Sequence, residues 1–155
     1  MNSSLKLRDA SGWTMFIFGV LALLLGLLGL IRPELLLSIL GFSVLDRTAR
    51  AAGDYTIVFM TASSMASFNM GVYYILAALN DIRKFYLWTV PFRLVTFTVF
   101  TIVAVTGTAP MRFIGVGIWE GLGAVVTGLA LYFDNKRAPQ SAAVRVPTAK
   151  KNGRK

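Results

Sequence analysis

The sequence predicts an all-α fold, a four-helix transmembrane bundle with both termini in the cytoplasm. Three observations carry that expectation. The 155 residues are 55% hydrophobic, too apolar for an ordinary soluble domain and enough for about four crossings of ~20 residues each. The apolar residues gather in four long runs, about residues 13–31, 56–79, 86–106 and 111–133, separated by polar connections. The Lys and Arg residues outside those runs divide eleven to four between alternate ends. Lys6, Arg8, Arg83, Lys84 and the C-terminal segment form the richer side, which the positive-inside rule places in the cytoplasm.

The elements follow in order. Residues 1–12 form a polar cytoplasmic segment leading into 13–31, nineteen residues without a charge. That run is longer than a signal-peptide core and is followed by Arg32-Pro33-Glu34 in place of a small-residue cleavage site, so it reads as a retained first helix. Gly12, Gly19 and Gly26 recur every seven residues, a smooth stripe against which another helix can pack. Residues 33–54 are too short and too charged to span: Leu35 to Leu40 make a surface-lying or re-entrant helix, Gly41 breaks it, and Asp46, Arg47, Arg50 and Asp54 mark a polar connection.

The second span, 56–79, is the most polar of the four, and Ser63, Ser67 and Gly71 give it a small-residue contact face. The short turn Asn80 to Lys84 predicts that it and the third span, 86–106, are antiparallel neighbours. Pro91 sits in the first turns of that third span, where it frees a carbonyl. In the fourth span, 111–133, Gly117 and Gly121 match GxxxG, a pattern that serves internal packing or a homo-oligomer equally well. Trp13, Tyr86, Trp88 and Tyr132 fall near the cytoplasmic interface and Tyr55 near the opposite one, as an aromatic belt requires. Residues 134–155 carry seven basic residues and two prolines, a composition expected to be disordered and to act as an orientation signal or a weak anchor for anionic lipid. No aromatic platform accompanies that charge, so nucleic acid is not an expected partner.

The chain has no cysteine and no histidine. Disulfides, thiolate nucleophiles, Cys/His metal sites and every imidazole-dependent scheme are thereby removed, and no metal or cofactor is expected. Two intramembrane charges remain. Arg93 lies inside the third span, where an arginine at the helix centre costs about 2.5–3.5 kcal/mol to insert. Glu120, in the fourth, is the single acid within the four runs. Counting helical rise along alternating spans puts Asn69 and Thr127 level with Arg93 and Glu120 about 10 Å away along the axis, so the two charges meet only if both side chains stretch toward each other or a water bridges them. Arg93 and Glu120 are the candidate catalytic residues, and with Asn69 and Tyr73, or its neighbour Tyr74, the candidate ligand-binding set. The competing interpretation is a buried ion pair or a snorkelling arginine that fixes helix register.

The glycine-rich first span, Pro33 with Gly41-Phe42, Arg50-x-x-Gly53 entering the second span, the turn Asn80-Asp81-Ile82-Arg83-Lys84, Arg93 and the acid of the fourth span together resemble the DoxX-like group of four-helix membrane proteins. The resemblance covers residues 13 to 133, and since some members are linked to quinone-dependent redox complexes it implies a lipophilic small molecule nearby. Two functional expectations follow. One is a small multi-pass integral membrane protein acting as a non-catalytic accessory or scaffold subunit, its partners the bilayer and other membrane proteins. The other is a membrane enzyme or enzyme subunit acting on a lipophilic quinone-, sterol- or polyketide-like molecule at Arg93 and Glu120. A dry, closed bundle favours the first; a cavity lined by both charges and open to lipid favours the second.

Overall fold

A computed structural model describes residue 7 and residues 9–143, with side chains to residue 137. Among the described residues the chain is entirely helical. The first helix, α1 (Ala10–Ile31), starts at Asp9, whose carboxylate accepts from the Gly12 amide at 2.8 Å. It stops where Arg32, the residue before Pro33, leaves the helical region at φ −137° and ψ 66°. Pro33 then opens the short α2 (Pro33–Ile39) at the position where a missing N–H does no harm. Gly41, at φ +88°, ends it with a left-handed cap in which the Phe42 amide reaches the Leu37 carbonyl at 3.0 Å. The same device ends α3 (Thr56–Leu79), but there Asp81 takes the left-handed position at φ 51° and the Ile82 amide reaches Ala77 at 3.0 Å. The last two helices are α4 (Arg83–Val105) and α5 (Ile114–Ala143).

Three segments are long and apolar enough to cross a membrane: α1, α4 and residues 111–137. The fourth expected span, α3, has the length, at 24 residues, but its threonines, serines and Asn69 leave it less apolar than the others. α3 has the expected bounds, whereas the other three spans differ at their edges from the sequence expectation. α1 starts three residues earlier than residue 13 and α4 three earlier than residue 86, because Asp9 and the Asn80–Ile82 turn set the starts. At the other end α5 continues ten residues past Phe133, through Ala143, where the basic tail was expected to begin. Residues 144–155 of that tail, and Lys6 and Arg8 of the first segment, lie outside the described residues.

α1 packs along α3 on one side and α5 on another, and α4 packs along α5. The closest approach is between α1 and α3: a Cβ on Gly26 would lie 2.5 Å from the Phe68 nitrogen, and one on Gly71 would lie 2.6 Å from the Leu23 nitrogen. Helices driven together by van der Waals contact in lipid gain most when their backbones approach, which is what these glycines allow. Ser67 adds a hydrogen bond to the Ala22 carbonyl at 2.9 Å. Ser63, expected on this face, is exposed and turns its hydroxyl to the Met60 carbonyl of its own helix; the buried serine is its neighbour Ser64. Gly12 lies closest to the Asp9 carboxylate, at 3.0 Å from a Cβ built on it, with the Tyr86 hydroxyl of α4 at 3.9 Å. Gly117 and Gly121 meet Phe97 and Phe100 of α4, so the GxxxG pattern is used inside the bundle.

α3 and α4 behave differently from the neighbours that their short turn predicts. They are fastened at the turn, where the fully buried Tyr86 hydroxyl donates to the Ala77 carbonyl at 3.0 Å, and they then diverge with little further contact. Tyr86 therefore belongs to the core and not to an aromatic belt; Trp13, Trp88, Tyr132 and Tyr55 are exposed as a belt requires. At the same end the Ser11 amide donates to the buried Asp134 carboxylate at 2.8 Å and Asp9 pairs with Arg83. The beginning of α1, the α3–α4 turn and residue 134 of α5 are thus tied together.

The opposite end is held by the connection between α2 and α3. Arg47 pairs with Glu34 and Arg50 with Asp54, each at 2.8 Å. The Thr56 hydroxyl and amide, helped by Arg50, hold the Asp54 carboxyl below its ordinary range, and the Arg47 hydrogen bond does the same for Glu34.

Candidate functional site

Arg93 lies where the four long helices meet. Its side chain is 3% exposed, and its guanidinium carbon sits 4.3 Å from the ring centre of Phe18 on α1 and 4.9 Å from that of Tyr74 on α3. On α5 it reaches Glu120 and Gly123. A side chain at 123 would collide with Arg93 Nη1, so the glycine is what admits the guanidinium. The pairing of types is local helix geometry: Glu120 and Gly123, three residues apart, share one face of α5. Phe18 is itself packed on Trp119 at 4.6 Å and Tyr74 on Phe85 at 5.7 Å, so both rings are held in place.

These contacts explain how a cation rests here. Two desolvated cation–π contacts of about 2 kcal/mol each match the cost of about 2.5–3.5 kcal/mol for an arginine at the centre of a membrane helix. Glu120 adds attraction, since Arg93 Nε stands 3.7 Å from Glu120 Oε2. That separation is an ion pair but is too long for a hydrogen bond. Arg93 Nε and Nη1 are accordingly buried without an acceptor among the described residues. Buried donors without partners are uncommon in native proteins, and here two belong to one charged group.

Beside this group the divergence of α3 from α4 opens a cleft of about 700 Å³. Ala66, Ser67, Met70 and Tyr74 of α3 line one wall, and Thr89, Phe92, Thr96 and Phe100 of α4 the other. Ala22 of α1 and Glu120 of α5 contribute to its lining, together with Arg93. Trp88 and Phe92 on its rim are 60% and 71% exposed, so the cleft opens sideways, toward what would be lipid around a membrane bundle. Glu120 keeps 26% of its side-chain surface exposed.

The sequence-derived candidates separate into two groups. Arg93 and Glu120 come together as a direct pair, and of the two adjacent tyrosines it is Tyr74 that joins them. Asn69 and Tyr73 are exposed on the outer face of α3 and take no part, because α3 is turned so that Ser64, Ser67, Gly71 and Tyr74 face inward. Thr127 is fully buried, but its hydroxyl meets that of Thr14 at 3.3 Å, away from Arg93. Phe18 and Gly123 went unnoticed in the sequence. Gly123 had a usable signal in its spacing from Glu120; Phe18 had none, being one apolar residue among many. No group of three or more potential metal-ligating side chains occurs among the described residues.

The comparisons with known proteins add nothing to this geometry: no family model, no curated protein and no solved structure matches the chain.

Proposed function

We propose that the protein is a multi-pass integral membrane protein, with α1, α3, α4 and α5 crossing the bilayer and both ends of the bundle's described chain on the cytoplasmic side. On this reading the α3–α4 cleft holds a lipophilic small molecule whose polar head meets Arg93 and Glu120. The excess of Lys and Arg at the end where α1 begins supports the orientation. One observation carries the binding role: Arg93, two of whose buried N–H donors have no acceptor among the described residues, is one of the residues lining a cleft that opens toward lipid. Pockets of this size, mostly apolar with a few convergent polar groups, suit a drug-sized molecule.

The pair suggests the chemistry of the head. A guanidinium and a carboxylate side by side are neutral together, so a neutral head meets no net charge. An acceptor such as a ketone or quinone carbonyl satisfies Arg93, and a hydroxyl next to it donates to Glu120. A quinone, sterol or polyketide-like molecule fits that description, and the first is the class that the DoxX-like resemblance implies. Catalysis would rest on Glu120 as a proton acceptor, with Arg93 polarising the carbonyl. A second reading, a non-catalytic accessory subunit, is favoured by Arg93 touching all three other long helices, as a residue that fixes their register does.

Mass spectrometry of small molecules that co-purify from native membranes tests the proposal. The wild type and Thr96→Trp, which fills the cleft from the α4 wall at a residue that is not itself a partner of Arg93, should fold alike. Only the wild type should carry a stoichiometric lipophilic molecule. An empty wild type, or equal content in both, rejects the cleft as a binding site and leaves the accessory reading.

A further inference from the structure

The place of Arg93 along the cleft narrows the class of molecule that fits there. On α4 the lining runs from Phe85 to Phe100, a groove about 22 Å long at ~1.5 Å per residue. Arg93 stands near its middle, about 12 Å from Phe85 and about 10 Å from Phe100. The same count puts Arg93 about 15 Å from the start of α4 and about 18 Å from its end, the centre of a bilayer whose hydrocarbon is ~30 Å thick.

The two arms of the groove have few groups left to bond a ligand. Their hydroxyls already donate to backbone carbonyls: Thr89 to Tyr86 at 2.7 Å, Thr96 to Phe92 at 3.0 Å and Ser67 to Ala22 at 2.9 Å. Phe85 and Trp88 make one arm aromatic; Phe100, Ala66 and Ala22 make the other apolar. Unbonded polar groups gather at the middle level. Arg93 Nε and Nη1 are there without acceptors among the described residues, with the Glu120 carboxylate 3.7 Å from Nε and the Tyr74 ring on the guanidinium. Elsewhere in the lining the Trp88 indole is the one remaining side-chain donor, and it is 60% exposed at the rim.

A molecule built as a polar head with one tail matches this groove poorly. With its head at Arg93 it fills one arm and leaves the walls of the other without dispersion contacts. A carboxylate or phosphate at this level is disfavoured as well, because it would stand beside Glu120 at the centre of the bilayer. A chain with an uncharged oxygen function in its interior fits both arms at once. At ~1.3 Å of length per carbon, from a C–C bond of ~1.5 Å, arms of about 10–12 Å hold about eight or nine carbons each. The far end of one arm then lies at Phe85, next in sequence to the exposed Lys84.

We propose that the cleft takes a long single-chain lipid with a ketone or hydroxyl near the middle of the chain, lying along α4 with that group at Arg93 and Glu120. The inference rests on the cleft being a binding site. Among the molecules named above it selects the polyketide-like kind, oxygenated within the chain, over one whose polar group is terminal.

Two isomeric ketones test it, dinonyl ketone and methyl heptadecyl ketone. They share one formula and differ in whether the carbonyl is at the middle of the chain or at its end. Both are offered together, at equal concentration, to the full chain in lipid nanodiscs, and bound ketone is read by mass spectrometry as the excess over protein-free nanodiscs. Dinonyl ketone should bind about tenfold or more in preference to its isomer, the factor that a hydrogen bond to a charged group supplies. The excess should vanish in Thr96→Trp. Equal or tighter binding of methyl heptadecyl ketone, lost in Thr96→Trp, would overturn the proposal and leave the cleft as a site for a terminal polar group. An excess of neither ketone, or the same excess in Thr96→Trp, would overturn it too; the binding role of the cleft then stands or falls on the co-purified molecule, which is measured separately.

Discussion

Gly26 and Gly117 look alike in the sequence, each a glycine in a repeating small-residue pattern of an apolar helix, yet the structure sets opposite outcomes for replacing them with alanine. A Cβ at 26 would lie 2.5 Å from the Phe68 nitrogen and 2.8 Å from both Phe68 Cα and the Ser64 carbonyl oxygen. All three are backbone atoms, which no rotamer change can clear. Ordinary contact begins near 3.4 Å, so α1 and α3 must separate locally by 3.4 − 2.5 = 0.9 Å. A gap of ~0.5–1 Å forfeits a quarter to a half of each affected dispersion contact. Overpacking of this kind costs about 1–3 kcal/mol, and the better helix propensity of alanine returns up to about 1 kcal/mol. Gly26→Ala should therefore destabilise by about 1–2 kcal/mol. At Gly117 the nearest atoms to a new Cβ, Phe100 Cβ, the Phe97 oxygen and Thr101 Oγ1, are 3.4 Å away. Only the propensity gain remains, and Gly117→Ala should be neutral or stabilising by up to about 1 kcal/mol. Reversible unfolding in mixed micelles measures both. Equal stabilities for the two variants, or a larger loss for Gly117→Ala, would show that α1 and α3 do not meet at Gly26 as described.

Three further outcomes follow from the polar contacts. Tyr86→Phe removes the buried hydroxyl that holds the Ala77 carbonyl, and should cost about 1 kcal/mol, seen as faster amide exchange in the α3–α4 turn with little change elsewhere. Asp134→Ala leaves the Ser11 amide at the start of α1 without its acceptor and should cost about 1–2 kcal/mol by the same unfolding assay, whereas Asp46→Ala, on an exposed loop residue, should be silent. The connection between α2 and α3 should loosen in acid. Asp54 and Glu34 have folded values below their ordinary 3.8 and 4.5, so their contribution is fully present above those values and is lost as pH falls below them toward the depressed folded values. Protection factors of residues 40–56, which correct hydrogen exchange for its intrinsic pH dependence, should be unchanged between pH 7 and 5 and fall below about pH 4, and Asp54→Asn should show less of that fall.

Apolar run lengths and turn residues made the long helices and the short α2 legible, because a bilayer-length run and a Gly41 or Pro33 boundary are one-dimensional facts. The rotation of each helix about its own axis was not, and most discrepancies are of that kind. Ser63 was expected inside and Ser64 is; Asn69 and Tyr73 were candidates and Tyr74 is at the site. Neighbouring residues differ by ~100° on a helix, and in a lipid-exposed helix the apolar residues go all the way round, so the pattern that would fix the rotation is weak. The divergence of α3 from α4 was hidden for a related reason. A short turn fixes where two helices begin to separate, while the backbone fit at Gly19, Gly26 and Gly71 commits α3 to α1. Arg93 and Glu120 were legible because charge within an apolar run is conspicuous wherever the helix points.

The accessory and binding interpretations draw on different parts of one side chain, and that allows them to be separated. Cation–π attraction to Phe18 and Tyr74 depends on the charge and its position between two rings on different helices. Recognition of a carbonyl depends on N–H donors, and Nε and Nη1 are the two that lack acceptors. Lysine in place of Arg93 keeps a cation but loses the planar fork and its second donor direction. Arg93→Met removes everything and leaves Glu120 facing an apolar neighbour. It loses both ring contacts as well as the ion pair, whereas Glu120→Gln loses only the pair, so Arg93→Met should be the least stable variant. Glu120→Gln should cost about 1 kcal/mol, since the carboxylate is partly exposed and the arginine keeps its rings. If Arg93 serves only the bundle, Arg93→Lys should fall between those two in stability and leave any bound small molecule in place. If it also holds a polar head, Arg93→Lys should lose the molecule at a stability close to that of Glu120→Gln. A lysine variant that is as unstable as Arg93→Met yet retains its ligand would contradict both, because it would mean that neither the charge between the rings nor the fork of donors matters at this position.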